Sequence, residues 1–203
     1  MEFRFATPDD AAFVAQGVTM ALHLDPEKQD MKLFTSICAR EDVLYSWRHT
    51  LLAIQDGQPV GLCLAYDGKD YHSMKELTFR LFAEGRKSAH TIDNQENNSA
   101  ENIPNPADDM DLEHMEDETC AGEYYIDSLS VLPQYRRQGI AKQLLRRQMQ
   151  EAKQFGLVKI TLLVDPANPQ AQDLYKQCGF VFMNEIYAFG QIFWKMEAKS
   201  VDL

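Results

Sequence analysis

The alternation of apolar and polar residues predicts a chain that begins with strands and helices around one sheet. Thr7-Pro8-Asp9-Asp10 supplies an N-cap and a first turn for an apolar-periodic helix. Asp56-Gly57 is a strong hairpin-turn signal between two apolar strands. The predicted elements of the first half are a strand at 2–6, helices at 11–22 and 26–40, strands at 50–55 and 59–66, and a helix at 71–87.

The second half predicts a strand-helix-strand unit followed by a helix and two more strands. These elements are a strand at 124–131, a helix at 137–155, a strand at 158–164, a helix at 168–178, and strands at 180–187 and 191–197. A right-handed crossover makes the fourth and fifth strands parallel neighbours. The sequence therefore predicts an α/β (α+β) fold, a mixed central sheet of about seven strands flanked by helices, in one domain over 1–203.

The negative charge of the chain is concentrated in one segment, which indicates an insertion in the predicted fold. The chain has 203 residues and a formal net charge of −11, with a pI of about 4.9. Residues 88–135 hold 12 acidic residues and no Lys or Arg, which leaves the remainder at +1. We therefore expect an acidic insertion at about 70–120, between strands three and four, and no general affinity for nucleic acid or membranes. A solvated surface segment is the simpler explanation of the insertion, and attraction of a cationic substrate is the alternative.

Cysteine and histidine give little support to metal or redox chemistry. The four cysteines lie far apart without a C-x-x-C pair, and the five histidines lack ligand spacing, so no metal is expected. The N-terminal residues lack a signal-peptide pattern, and no apolar run is long enough to span a bilayer. We expect a cytoplasmic protein.

The segment Val131-Leu-Pro-Gln-Tyr-Arg-Arg-Gln-Gly-Ile-Ala141 has the character of an anion site. It joins a strand end to a helix start, where free backbone amides and the helix dipole favour an anion. Gly139 and Ala141 let an anion approach, and Arg136, Arg137 and Lys142 add positive charge. The segment is neither a phosphate loop of nucleotide-triphosphate enzymes nor a dinucleotide turn.

A second segment lies at a matching distance, Asn168-Pro-Gln-Ala-Gln-Asp-Leu-Tyr175-Lys-Gln-Cys-Gly-Phe180. The two segments together resemble the GNAT superfamily of acyl-CoA-dependent N-acetyltransferases, whose motifs are V-x-P-x-Y-R-[RG]-x-G-[IV]-[AG] and N-x-x-A-x-x-x-Y-x-x-x-G-F. The detailed resemblance covers about residues 123–182. Ala141 departs from the glycine that many members have there.

The resemblance implies a site for acetyl-CoA as co-substrate, with strands four and five splayed apart around its pantetheine arm. Backbone groups near Leu129 and Val131 would hold that arm, and Asn168 is assigned to the same cofactor. The pyrophosphate would lie on the turn and the first helical residues, which are Arg136, Arg137, Gln138, Gly139, Ile140, Ala141 and Lys142.

The resemblance also implies catalytic roles for two residues. Tyr175 corresponds to the tyrosine that protonates the departing thiolate, and a phenol of pKa about 10 remains protonated at neutral pH. Asp127 corresponds to an acidic position on strand four, where it would act as base or amine anchor. Glu123 and Tyr125 share its face by alternation and are secondary, substrate-binding candidates.

The expected reaction is direct transfer of an acetyl group to a primary amine, with a small cationic amine favoured. A protein or peptide N-terminal or lysine acetyltransferase is the alternative within the family. A non-catalytic acyl-CoA-binding regulatory module is the alternative of another class. Homodimers are frequent in the family, but no part of the sequence identifies an interface.

Overall fold

The computed structural model describes residues 1–93 and 116–200, apart from the side chains of Arg86 and of residues 88–93. The strands are β1 (Glu2–Phe5), β2 (Thr50–Gln55), β3 (Gln58–Asp67), β4 (Glu123–Val131), β5 (Lys159–Val164), β6 (Val181–Ala188) and β7 (Gln191–Lys199). The helices are α1 (Ala11–Ala21), α2 (Met31–Cys38), α3 (Tyr71–Asp93), α4 (Ile140–Gln154) and α5 (Pro169–Gln177). No helix in the described ranges is long and apolar enough to cross a membrane.

One seven-stranded mixed sheet in the order β1-β2-β3-β4-β5-β7-β6 confirms the predicted fold class. β4 and β5 are parallel, as the crossover through α4 requires, while the other neighbouring strands pair antiparallel. The hairpin between β2 and β3 turns at Asp56 and Gly57, whose φ angles of 52° and 74° suit a tight turn of the predicted type.

The two faces of the sheet are covered by different helices. One face packs against α4 and α5, where Leu144 and Leu145 are fully buried. The other face packs against α1, α2 and the beginning of α3, where Val14 and Val18 are fully buried. Burial of apolar side chains on both faces, at roughly 25 cal/mol per Å2, is the main source of stability in such a three-layer arrangement.

Two predicted helices begin later than the sequence indicated. The second helix was expected at 26–40, but 26–28 form a short 3-10 turn and α2 begins at Met31 because Asp30 caps it by accepting from the Lys32 and Leu33 amides. The fourth helix was expected from Arg137, but it begins at Ile140.

The predicted insertion is described only in part. Residues 71–93 form α3, which contacts α2 through the rings of Phe34 and Phe82. The predicted acidic segment at 94–115 lies outside the described residues. Residues 116–122 then lead into β4.

Candidate active site

A gap opens between the two central parallel strands. β4 and β5 pair from Glu123 and Lys159 as far as Ile126 and Leu162. Beyond that point β4 continues along β3 as far as Val131, and β5 continues along β7. The two strands therefore diverge after Ile126, and each leaves one edge of its backbone facing the gap.

The backbone of Leu129 and Val131 faces this gap. The Leu132 amide donates to the Val60 carbonyl at 2.9 Å, so the peptide groups of Leu132 point towards β3. Because successive residues of a strand direct their peptide groups to opposite edges, those of Leu129 and Val131 point the other way. The Arg136 Nε donates to the Val131 carbonyl at 2.9 Å, which ties the following turn to the strand.

The turn before α4 presents free amides near the end of the gap. Arg137 and Gly139 have φ angles of 64° and 76°, a left-handed conformation that rules out the earlier helix start and that costs Arg137 conformational energy. Gly139 is the N-cap and offers no side-chain acceptor, so the amides of Ile140, Ala141 and Lys142 have no partner within the helix. Alternating left-handed residues and a helix dipole together form an anion-binding cradle.

The side chains around this cradle fit an anionic ligand. Arg137 and Gln138 are exposed, and Lys142 is half-buried with its Nζ 3.4 Å from the Gln177 Oε1. Ile140 is buried and anchors the helix start. The predicted pyrophosphate residues therefore lie together at one end of the gap, whereas Arg136 is engaged in the bond to Val131.

Asn168 immediately precedes α5, and Tyr175 lies within it. The Asn168 Oδ1 accepts from the Ala171 amide at 3.1 Å, so Asn168 is the N-cap of α5. The Tyr175 ring packs against Phe180, with centroids 5.9 Å apart, on the α4 side of the sheet.

The Tyr175 hydroxyl suits a proton donor. Burial raises the pKa of Tyr175 above its ordinary value, so the phenol holds its proton at neutral pH. It forms no hydrogen bond to any described residue. The Tyr175 side chain as a whole is half-buried.

Asp127 is at the point where β4 and β5 diverge. A register shift between Leu64 and Ala65 of β3 leaves Asp127 as the extra residue of a β-bulge, and such bulges redirect a side chain. Its carboxylate accepts hydrogen bonds from the Tyr66 hydroxyl at 2.7 Å and the Ser128 hydroxyl at 2.8 Å.

The environment of Asp127 gives it the proton affinity of a general base. Burial, with a smaller contribution from the negative charge of Glu118, raises the pKa of Asp127 to about 7, and the two hydrogen bonds oppose that rise. The residue is nevertheless only half-buried, so a substrate can reach it. Tyr66 belongs to the face covered by α1, α2 and α3, which places Asp127 and Tyr175 on opposite sides of the gap.

Tyr125 and Glu118 lie on the same side as Asp127. Tyr125 is fully buried, and its hydroxyl donates to Glu118, a residue that the sequence did not single out. Tyr71 donates to the other oxygen of Glu118 at 2.9 Å. Tyr66 and Glu118 were not predicted, because only the fold brings them to Asp127. The predicted contact of Tyr125 with substrate stays a prediction, although its hydroxyl is already engaged.

Glu123 lies at the closed end of the parallel pair. Its carboxylate oxygens are each 2.8 Å from a lysine Nζ, of Lys159 and of Lys195, and the Thr119 and Thr161 hydroxyls donate to it. Although burial opposes it, these contacts lower the pKa of Glu123 to about 2. The arrangement favours a structural role, joining β4, β5 and β7 below the gap, over the predicted contact with substrate.

Comparison with known proteins agrees with this architecture. Residues 104–180 match the Acetyltransferase (GNAT) family. No curated protein sequence matches the chain significantly.

Several solved structures share the fold. A protein described as an acetyltransferase superposes with a TM-score of 0.72 at 24% identity, over 98% of this chain and 100% of the other. An N-acetyltransferase from Staphylococcus aureus Mu50 gives 0.72 at 19% identity, over 98% and 100%. A putative acetyltransferase from Salmonella typhimurium, solved with its cofactor acetyl-CoA, gives 0.59 at 15% identity, over 98% and 94%.

Proposed function

We propose that this chain is an acyl-CoA-dependent acetyltransferase of the GNAT type and that it transfers the acetyl group of acetyl-CoA to a primary amine by direct attack, with a small cationic amine favoured. One observation carries the proposal. Asp127 lies where the gap between β4 and β5 opens, and Tyr175 lies on the other side of that gap. The free backbone amides at the start of α4 lie at the end of the gap.

The chemistry of the co-substrate fits the residues along the gap. The amides of Ile140, Ala141 and Lys142 bind the pyrophosphate, because an anion satisfies donors that the helix leaves unpaired. The backbone of Leu129 and Val131 offers strand-type hydrogen bonds to the pantetheine amides. The thioester then lies near Asp127, at the point where the strands diverge.

Asp127 has the role of the base or of the anchor for the amine. An ammonium of pKa about 10.4 must lose a proton before attack, which costs about 4.6 kcal/mol at pH 7. The Asp127 carboxylate is partly exposed and has a pKa of about 7, so it accepts a proton at neutral pH and releases it readily to solvent. Its hydrogen bonds to Tyr66 and Ser128 fix its direction.

Tyr175 has the role of the acid. Collapse of the tetrahedral intermediate expels a thiolate, and a protonated phenol on the other side of the gap from Asp127 donates to it. Because Tyr175 and Asp127 lie on opposite sides of the gap, the acid does not pass its proton directly to the base. Among the cysteines, burial raises the pKa of Cys63 and Cys178, which makes either a poor nucleophile for a covalent acetyl-enzyme.

Negative charge beside Asp127 supports a cationic acceptor. The carboxyl groups of Asp127 and Glu118 lie on the same side of the sheet. The positive charge of an approaching ammonium offsets the repulsion between them. A peptide N-terminal amine, whose ammonium has a pKa of about 8, is less fully charged at neutral pH and would gain less from the same charges.

The test is release of CoA thiol with a panel of diamines, aminoglycosides and peptides, alongside calorimetric binding of acetyl-CoA. We expect release above hydrolysis with the diamines and aminoglycosides and little with a peptide. Release with a peptide alone would favour the peptide acetyltransferase. Tight acetyl-CoA binding with no release for any amine would favour the non-catalytic module.

A further inference from the structure

A second carboxylate lies beneath the candidate base. Glu118 precedes β4 and is only 8% exposed. Its two oxygens accept hydrogen bonds from the hydroxyls of Tyr71 and Tyr125, and each phenol donates its single proton. Burial raises the pKa of Glu118, and the hydrogen bonds donated by the two phenols oppose that rise by favouring the ionised form.

Three tyrosines join the two carboxylates, and we call Tyr66, Tyr71 and Tyr125 the tyrosine layer. The Tyr66 ring centroid lies 5.9 Å from that of Tyr125 and 6.4 Å from that of Tyr71. Tyr66 donates to Asp127, whereas the other two donate to Glu118. The layer is buried, so the space between the two carboxylates holds little water and their repulsion is poorly screened.

Other charged and titratable groups face this cluster from several elements. Lys75 of α3 lies over the Tyr71 ring, with its Nζ 3.1 Å from Asp117. It favours the ionised form of Glu118, although burial is the larger effect and raises the pKa of that residue. The remaining groups are Tyr45 after α2, Cys63 of β3, and His49 before β2. Burial lowers the pKa of His49 to about 4, so it is neutral.

We propose that Glu118 is a positioning residue for acetyl transfer: it orders the tyrosine layer against Asp127 and keeps a second negative charge beside that carboxylate. The proposal rests on the proposed function, in which Asp127 is the base. In that reaction the negative charge of Glu118 raises the affinity of Asp127 for the proton that it takes from the amine. Glu118 itself does not touch the substrate.

The segment between β3 and β4 thereby becomes part of the catalytic environment. α3 contributes Tyr71 and Lys75, and the residues that return to β4 contribute Asp117 and Glu118. These contacts fasten the start of α3 to the strand that carries Asp127. The predicted insertion is then a contributor to the base and more than a solvated surface segment.

The test follows the ionisation of Asp127 directly, by NMR of protein labelled with 13C at the aspartate carboxyl groups, with Asp127→Asn to assign the signal. In Glu118→Gln we expect the Asp127 titration midpoint to move to lower pH. The acidic limb of the rate profile should move with it, so that the rate at pH 6, relative to its plateau, rises several-fold.

Matched variants separate charge from structure. Glu118→Asp keeps the charge and should hold the midpoint near that of the wild type. Glu116→Gln removes an exposed charge from the same segment and should leave both readouts unchanged. If Glu118→Gln does not fold, Tyr71→Phe removes one donor to Glu118 and should move the midpoint in the same direction by less.

The contradictory results are distinct from failure of the proposed function. An Asp127 midpoint that does not move in Glu118→Gln, or in Tyr71→Phe where the former does not fold, overturns the role of Glu118. Full turnover in Asp127→Asn would instead remove Asp127 as the base, while the NMR titration would still decide whether Glu118 acts on it.

Discussion

Replacing Asp127 by Asn should abolish most turnover and yet stabilise the fold above neutral pH. The pKa of Asp127 rises from its ordinary 3.8 to about 7 on folding. Between those two pH values the native state binds more protons at this site than the unfolded chain does. The free energy of unfolding therefore falls as pH rises through this range, and the deficit is complete above pH 7.

The size of the effect follows from that difference. A difference of about three in pKa corresponds to about 4 kcal/mol, which is an upper bound because part of it is repulsion shared with Glu118. Asn accepts a hydrogen bond from Tyr66 or Ser128 but not both, which costs about 1 kcal/mol. The net gain for Asp127→Asn is then about 1–3 kcal/mol at pH 8.

Urea unfolding at pH 8 and pH 4 measures this gain. Near pH 4 Asp127 is neutral in the native state, so the gain should disappear or become a loss of about 1 kcal/mol. Asp173→Asn, which removes an exposed aspartate from α5, is the control and should show no comparable difference between the two conditions. If Asp127→Asn were no more stable than the wild type at pH 8, folding would not raise the pKa of Asp127.

Three further variants test other parts of the site. Tyr175→Phe should lower kcat by about 100-fold or more while leaving acetyl-CoA affinity within a few-fold, and near-normal turnover across pH would remove Tyr175 as the acid. Gly139→Val should raise the KM for acetyl-CoA and lower stability by about 1–2 kcal/mol, because a φ of 76° is strained for a β-branched residue; unchanged acetyl-CoA binding would move the pyrophosphate elsewhere. Glu123→Gln should destabilise by about 3 kcal/mol at pH 7, because the mostly buried Lys195 loses its ion pair, whereas Lys159 keeps Glu197 at 3.4 Å. With the Glu123 pKa lowered to about 2, the wild-type advantage should shrink as pH falls from about 4.5 towards 2, and a deficit independent of pH would argue against the ion pairs.

Local patterns were enough to predict the sheet and one end of the site. The apolar run of β5 and the periodic α4 indicated a strand-helix-strand crossover, and such a connection makes its two strands parallel. The turn before α4 could be recognised from a few neighbouring residues, because Gly139 begins a helix without a capping side chain and so leaves backbone amides free for an anion.

The base and its surroundings depend on contacts that no local pattern contains. Tyr66 and Asp127 are 61 positions apart, and Tyr71 and Glu118 are 47 apart. The bulge that presents Asp127 depends on the register between β3 and β4, which strand alternation alone does not specify. Glu118 is one acidic residue among many in its segment, so its sequence context does not mark it.

Acetylation of a cationic primary amine with Asp127 as the base is tested by mass spectrometry of the amine product. The product formed from acetyl-CoA is compared for the wild type and Asp127→Asn, across pH 5.5–8.5 and at low and high salt. We expect an N-acetylated amine, a wild-type rate that rises through about pH 7 and falls with added salt, and little product from the variant. Equal product from both proteins, or none from the wild type with any amine, would contradict this expectation.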